Sequence, residues 1–210
     1  LIDMARARAV GTAYGGESNH TTSLTTADAE GNVVAATHTL HSAFGSKVTV
    51  PGTGVMLNNT MNIFDPHPGL ATSIAPGKRM TSSMSPTIVE QGDEVCFSLG
   101  SVGGTRIFPS VFQAIVNVID HGMSAQEAVE APRLWTLGDD VEIESGFPAT
   151  SLTELECRGH RLTPLNIIGG GMGLIDFREG TMTGASCWRA DGTPVGLGGG
   201  MARKGIRFEV

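Results

Sequence analysis

Seven residues, Gly100-Ser101-Val102-Gly103-Gly104-Thr105-Arg106, join an apolar run to a helical stripe, and this junction restricts the fold more than any other stretch. Val95–Leu99 reads as an apolar strand, entered from a strand at Thr87–Glu90 through the turn Gln91-Gly92-Asp93. After the glycines, Ile107, Val111, Ile115 and Ile119 recur at helical spacing, with Phe108, Phe112 and Val116 beside them. A strand that runs through a glycine turn into a buried helix gathers free backbone N–H groups at the helix N-terminus. Such a place binds an anion or stabilises an oxyanion. The turn is not a GxGxxG fingerprint and has no GK[ST] ending, which disfavours a nucleotide.

The chain has 210 residues, 40% hydrophobic and 17% charged, which describes a globular unit with a substantial core. Its 29 glycines are about twice the usual share and imply many tight turns and close backbone approaches. A net charge of −7 gives no electrostatic support for nucleic-acid binding. Cys96, Cys157 and Cys187 are far apart, with no CxxC or Cys/His cluster, so neither a metal site nor a disulfide framework is indicated. No apolar run reaches the ~20 residues that a membrane span needs.

The second constraining stretch is Glu17-Ser18-Asn19-His20-Thr21-Thr22-Ser23, after Gly15 and Gly16. Leu1–Ala9 is a short helical candidate and Thr12–His20 a connector. Thr21–Ala27 and Asn32–Leu40 alternate as strands around the turn residues Asp28-Ala29-Glu30-Gly31. A four-residue loop sets Thr21 opposite His38, with Thr39 on the diagonal and within side-chain reach. A Thr pair at a strand start is ordinary β-propensity. It becomes chemistry if the His20–Thr21 bond is cut, because Thr21 then carries a hydroxyl and an α-amine able to serve as its base. His38 and His41 stand near the end of the return strand, placed to assist proton transfer or simply to be solvated.

Further along, Lys47–Val50 and Val55–Leu57 form a strand pair around Pro51-Gly52-Thr53-Gly54. Asn58-Asn59-Thr60-Met61-Asn62 is either a polar pocket wall or an Asx turn. Residues 65–78 form a loop, and Arg79–Thr87 is rich in hydroxyls. Ser124-Ala125-Gln126-Glu127 is a capping box for a short helix closed by Pro132. Val141–Glu144 is a strand and Leu152–Arg158 a helix. Met172–Phe177 and Gly184–Arg189 are strands, and the tail from Gly198 carries the solvated charges Arg203, Lys204 and Arg207.

Seven motifs in order resemble the small-subunit half of the γ-glutamyltranspeptidase family of N-terminal nucleophile hydrolases. They are Glu17–Thr22, Gly31-Asn32, Thr37–Leu40 with Phe44-Gly45, Leu57-Asn58-Asn59, Ser82–Thr87, Gly100–Arg106 and Ala131-Pro132-Arg133. The resemblance implies an α+β fold, the four-layer αββα sandwich, of which this chain supplies about half. It implies a proenzyme cut between His20 and Thr21, so that residues 1–20 are the tail of a large subunit and 21–210 the small-subunit catalytic domain. Thr21 is then the nucleophile, Thr39 its hydrogen-bonding partner, Gly103 and Gly104 the oxyanion-hole glycines, and Ser82 and Ser83 the pair holding the substrate α-carboxylate. The implied partner is the large subunit from the same precursor, which in the family supplies an Arg for that carboxylate. No cofactor is implied. The compartment stays open: periplasmic or extracellular if the chain follows bacterial members, or cytoplasmic.

Departures from the family pattern bear on the substrate. The places of a Gln and an acidic residue that grip a glutamyl ammonium hold Thr60 and Ile63, with Asn62 between. His41 stands where an Asn often assists, Ser23 where a His commonly follows Thr-Thr, and the 65–78 loop is short beside members with a lid. The expected activity is an autoprocessed γ-glutamyl transferase or hydrolase acting on glutathione-type amides, favoured by Ser82-Ser83. An amidase of cephalosporin-acylase type, favoured by Ile63, and a non-catalytic family member are the alternatives.

Overall fold

The computed structural model describes residues 20–138 and 140–196. The predicted helix at Leu1–Ala9, most of the connector before His20 and the charged tail lie outside them. Strand β1 (Thr21–Ala27) and strand β2 (Val33–Thr39) form an antiparallel hairpin. Its loop holds five residues instead of the expected four. Asp28 closes it, its carboxylate accepting from the N–H groups of Glu30 and Asn32 at 3.0 and 2.9 Å and from Asn32 Nδ2 at 2.8 Å. The extra residue moves the register by one, so Thr21 pairs with Thr39 and Thr22 with His38. His38 therefore faces away from Thr21, and Thr39 faces it directly.

Four strands make the central sheet, in the order β3 (Thr87–Gln91), β4 (Glu94–Ser101), β8 (Met172–Asp176), β9 (Thr183–Ser186), all antiparallel. Helices α1 (Ile107–Ile119) and α2 (Ala125–Glu130) cover one face. Phe97 and Leu99 of β4, with Met172 and Leu174 of β8, pack on Ile107, Val111, Ala114, Val118 and Val129 in one buried cluster. A buried residue of that size stabilises by roughly 1.5–3 kcal/mol relative to exposure. The buried side of α1 runs through Ile107, Ser110, Val111, Ala114 and Val118. It is rotated from the expected stripe, and Phe108, Phe112 and Ile119 are exposed. The capping box of α2 is present as read: Ser124 Oγ accepts from Glu127 N, and the Glu127 carboxylate accepts from Ser124 N.

The opposite face of β4 carries small residues, and the hairpin stacks there. Thr25 Oγ1 and Ser98 Oγ share a hydrogen bond of 2.5 Å, and a Cβ on Gly100 would fall 2.3 Å from Ser23 Oγ. Helices, sheet and hairpin are thus three successive layers of the expected sandwich. Leu24 and Val34 remain exposed on the hairpin's outer face, where a further layer would pack.

A third sheet, in the order β5 (Leu134–Thr136), β6 (Asp140–Glu144), β7 (Arg161–Leu165), stands to one side, with α3 (Ala149–Cys157) linking the parallel pair β6 and β7. Neither β5 nor β7 was expected. The former has three residues, and Pro164 masks the latter, which lies at the sheet edge where proline is tolerated. The expected strand pair at 47–57 shrinks to a single bridge, Thr49 with Met56, because Lys47, Gly52 and Gly54 all take positive φ.

Candidate active site

The N-terminal end of β1 carries the site. Thr21 Oγ1 donates to Thr39 Oγ1 at 3.0 Å. The Thr39 hydroxyl also accepts from His41 N at 2.9 Å and itself donates to the carbonyl oxygen of His20 at 3.2 Å. Leu40 N donates to that same carbonyl at 3.4 Å. Two donors thus point at the carbonyl of the His20–Thr21 bond, and one of them is the hydroxyl to which Thr21 is bonded.

His41 is half-buried and takes φ of +71°, turning the chain out of β2. Asn59 then ties the next two segments together. Its Oδ1 accepts from Ser42 N at 3.1 Å, its Nδ2 donates to Ser42 Oγ at 2.9 Å, and its N–H donates to Leu40 O at 3.2 Å. This places the 3-10 helix Thr60–Ile63 beside His41. Within that helix Thr60 Oγ1 donates to Asn58 Oδ1 at 2.5 Å, and Asn62 is exposed and enters through its backbone N–H, bonded to Asn59 O. Asn59 was read as part of a motif and a polar wall; its bridging role needed the return of residues 40–42 to it.

No carboxylate stands at Ile63, which is half-buried. Asp65, two residues on, has its Oδ1 engaged by His67, at 2.8 Å from both the backbone N–H and Nδ1. Those His67 bonds hold the Asp65 carboxyl below its ordinary value. The 65–78 loop is folded on itself: Asp65 bridges Ser73, Leu70 N donates to Ser73 Oγ at 2.8 Å, and Lys78 Nζ donates to Leu70 O at 3.0 Å.

The second cluster is the glycine turn. Gly103 takes φ of +128° and Gly104 +59°, both in the range that favours glycine. A Cβ on Gly103 would lie 2.5 Å from Gly169 Cα. Ser83 Oγ donates to Gly104 O at 2.6 Å, and Ser82 is exposed with its Oγ accepting from Met84 N at 3.2 Å. Arg106, just past the turn, donates to Glu142 Oε2 at 3.0 and 2.7 Å and lies over the Trp135 ring at 4.5 Å, fastening the turn to the third sheet.

Stacking brings the two clusters to the same end of the molecule. Thr25 meets Ser98 and Ser23 meets Gly100, so the side-chain alternation carries Thr21 to the level of Val102, immediately before Gly103. Thr21 and Val102 line one cavity of about 1130 Å³, which extends from there along β1 to β8 and β9. Ser82, Ser83, Gly103 and Gly104 are not among its walls. Most of that cavity is the space beside the free edge of β1, above the half of the central sheet that the hairpin leaves uncovered.

Comparison with known proteins bears on the family and the fold. The Gamma-glutamyltranspeptidase family profile matches residues 3–197. Acylase ACY 1 proenzyme of Pseudomonas sp. strain SE83 is 52% identical over the whole chain, which spans 38% of that protein. Glutathione hydrolase proenzyme of Escherichia coli K12 is 37% identical over 81% of the chain, which covers 31% of it. The chain therefore spans about a third of the length of these curated relatives. Among solved structures, gamma-glutamyltranspeptidase from Pseudomonas nitroreducens complexed with L-DON superposes with a TM-score of 0.72 at 34% identity, covering 84% of this chain and 99% of that one. Cephalosporin acylase from Bacillus halodurans gives 0.75 at 31% identity, covering 85% of this chain and 34% of that one. The chain has the fold of these structures and belongs to the gamma-glutamyltranspeptidase family of enzymes.

Proposed function

We propose that this chain carries the catalytic portion of an amide-cleaving acylase, made as a precursor, in which Thr21 is the nucleophile. The observation that carries the reading is the Thr21–Thr39–His20 chain of hydrogen bonds. The Thr21 hydroxyl attacks the His20 carbonyl carbon, and the oxyanion that forms is met by the Thr39 hydroxyl and Leu40 N–H. The C–N bond breaks, the hydroxyl proton passes to the departing Thr21 amine, and water hydrolyses the resulting ester to leave a His20 carboxylate. Thr21 is then N-terminal, its amine serves as base for its own hydroxyl, and Thr39 fixes that hydroxyl's direction. A substrate amide acylates Thr21, its oxyanion lying at the Gly103 and Gly104 N–H groups, and water or an amine releases the acyl group.

The preferred acyl group bears a carboxylate and lacks an α-ammonium. Half-buried Ile63 offers no charge to pair with an ammonium, and Asp65 is occupied by His67. Ser82, whose Oγ only accepts from Met84 N, can donate its hydroxyl proton to a carboxylate beside the glycine turn, while the Ser83 hydroxyl donates to Gly104 O. The similarity to Acylase ACY 1 and to a cephalosporin acylase favours the same reading. The γ-glutamyl reading is favoured by Ser82-Ser83 and by similarity to glutathione hydrolases. The rest of the precursor supplies the remaining pocket as a second subunit, which fits the proenzyme names and the one-third coverage of the relatives.

Two p-nitroanilides that differ only in the α-ammonium, glutaryl and γ-glutamyl, decide the substrate. The full precursor should process before Thr21, as read by intact mass, and should cleave the glutaryl anilide with kcat/KM at least about tenfold higher, the scale of one lost charge pairing. A preference for the γ-glutamyl anilide would restore the glutathione-type reading, and an intact His20–Thr21 bond in active protein would remove the mechanism.

A further inference from the structure

Arg133, Glu144 and Arg189 are buried, at 3%, 3% and 8% exposure, and the mechanism above uses none of them. Glu144 is the anion at the centre. Its Oε1 accepts from Arg189 Nε at 2.8 Å and from Ile168 N at 2.6 Å, and its Oε2 accepts from Arg133 N at 2.8 Å and from Arg189 Nη2. Burial alone pushes the Glu144 carboxyl up, but these donors together hold it below its ordinary value, ionised at neutral pH. The Arg133 guanidinium turns away from Glu144. Its Nη1 donates to Gly170 O at 3.0 Å and to Ile168 O at 3.3 Å. The backbone at 168–170 is therefore gripped by an anion on one N–H and by a cation on two carbonyls.

The gripped backbone lies directly behind the glycine turn. Gly170 N donates to Val102 O at 2.8 Å, and Val102 N donates to Gly171 O at 3.1 Å. Gly169 Cα is the atom that a Cβ on Gly103 would strike, and a Cβ on Gly170 would lie 2.6 Å from Val102 Cγ2. Three buried charges are costly to desolvate, and apolar packing would stabilise the region as well or better. What ions add is fixed hydrogen-bond direction.

We propose that Arg133 is a positioning residue for acyl transfer: by clamping the carbonyls of Ile168 and Gly170 it sets the strap at 168–171, and the strap sets the Val102–Gly104 turn whose N–H groups receive the oxyanion. This rests on the assignment of Gly103 and Gly104 as oxyanion donors in the proposed function. Arg133→Lys keeps a positive charge in the cluster but loses the planar guanidinium, whose Nη2, anchored on Val129 O, fixes the direction in which Nη1 reaches the two strap carbonyls.

The experiment is made in the full precursor with glutaryl-p-nitroanilide, counting competent sites by intact mass of the acyl-Thr21 species. Arg133→Lys should lower kcat per competent site by about 10–100-fold, the effect of misplacing a donor by up to an ångström, with KM within about threefold. Unchanged kcat per competent site, with a loss confined to thermal stability or to the number of competent sites, would overturn the proposal. A second pair decides the matter even where Arg133→Lys fails to accumulate. Gly170→Ala should lower kcat by displacing Val102, and Val102→Ala added to it should restore most of the loss; full kcat in Gly170→Ala overturns the coupling. Absence of any acyl-Thr21 species in the wild type is a separate result, which removes the nucleophile assignment and the inference with it.

Discussion

Thr39 owes its place to one residue in the hairpin loop. With a four-residue loop it would stand diagonal to Thr21; with Asn32 drawn into the loop by Asp28, the two hydroxyls sit opposite at 3.0 Å. Thr39→Val keeps the volume and removes both the bond to Thr21 and the donor to His20 O. It should slow cleavage and lower kcat by about 10²-fold, as loss of an oriented catalytic hydrogen bond does, followed by intact mass and turnover. Thr21→Ala should abolish both. Gly103→Ala demands a Cβ 2.5 Å from Gly169 Cα at a φ of +128°, so it should cost at least about 10²-fold in kcat if the turn shifts. Ile63→Asp should raise activity on the γ-glutamyl anilide relative to the glutaryl one, since it returns a carboxylate to the wall beside His41; an unchanged ratio would disconnect that wall from the acyl group.

Elements were legible where the pattern is local. The strands at 87–91 and 94–101, the α1 helix, the capping box of α2 and the strands at 140–144 and 172–176 all stand close to where periodicity put them. The strands β5 and β7 escaped because three residues have no measurable period and a proline argues against a strand. The expected stripe on α1 meets the core at Ile107, Val111 and Ile115, but Phe108, Phe112 and Ile119 are apolar yet exposed, so hydrophobicity alone drew the buried side too far round the helix. Leu99, fully buried in the cluster between β4 and α1, should cost about 2–5 kcal/mol on truncation to Ala, measured by denaturant unfolding.

At the scale of the whole molecule, two apolar faces are unpaired among the described residues: Leu24 and Val34 outside the hairpin, and Phe108, Phe112 and Ile119 along α1. In the chain expressed alone, Phe112→Ser should leave stability within about 0.5 kcal/mol and reduce self-association. In the full precursor the same change should lower the yield of assembled enzyme, by size-exclusion chromatography. Acid should act through Glu144 and Asp176. Burial raises both carboxyls, but the Arg189 bonds, with Ile168 and Arg133 N–H, and the Arg178 bonds hold them below their ordinary values. The unfolded chain therefore takes up these protons first as pH falls. Their contribution is complete above about pH 4–5 and is lost as pH drops through the folded values. Thermal unfolding between pH 7 and 3 should show that decline, and Glu144→Gln, which leaves Arg189 uncompensated, should cost about 3–5 kcal/mol at neutral pH.

The amino-acid sequence alone determined which groups could do chemistry, because they sit in short patterns: a Thr pair opening a strand, hydroxyls at 82–83, a glycine turn feeding a helix. It also determined the family, through the order of those patterns. Only the tertiary structure decided that they meet. The small face of β4 lets the hairpin stack until Thr21 stands level with Val102, and that contact joins residues some eighty positions apart with no local signal. The buried Arg133–Glu144–Arg189 cluster was beyond reach for the same reason. Arg133 was legible as part of the Ala131-Pro132-Arg133 motif and Glu144 and Arg189 as strand residues, but nothing local joins the three, and only folding, by removing water from all of them, turns them into a clamp behind the turn.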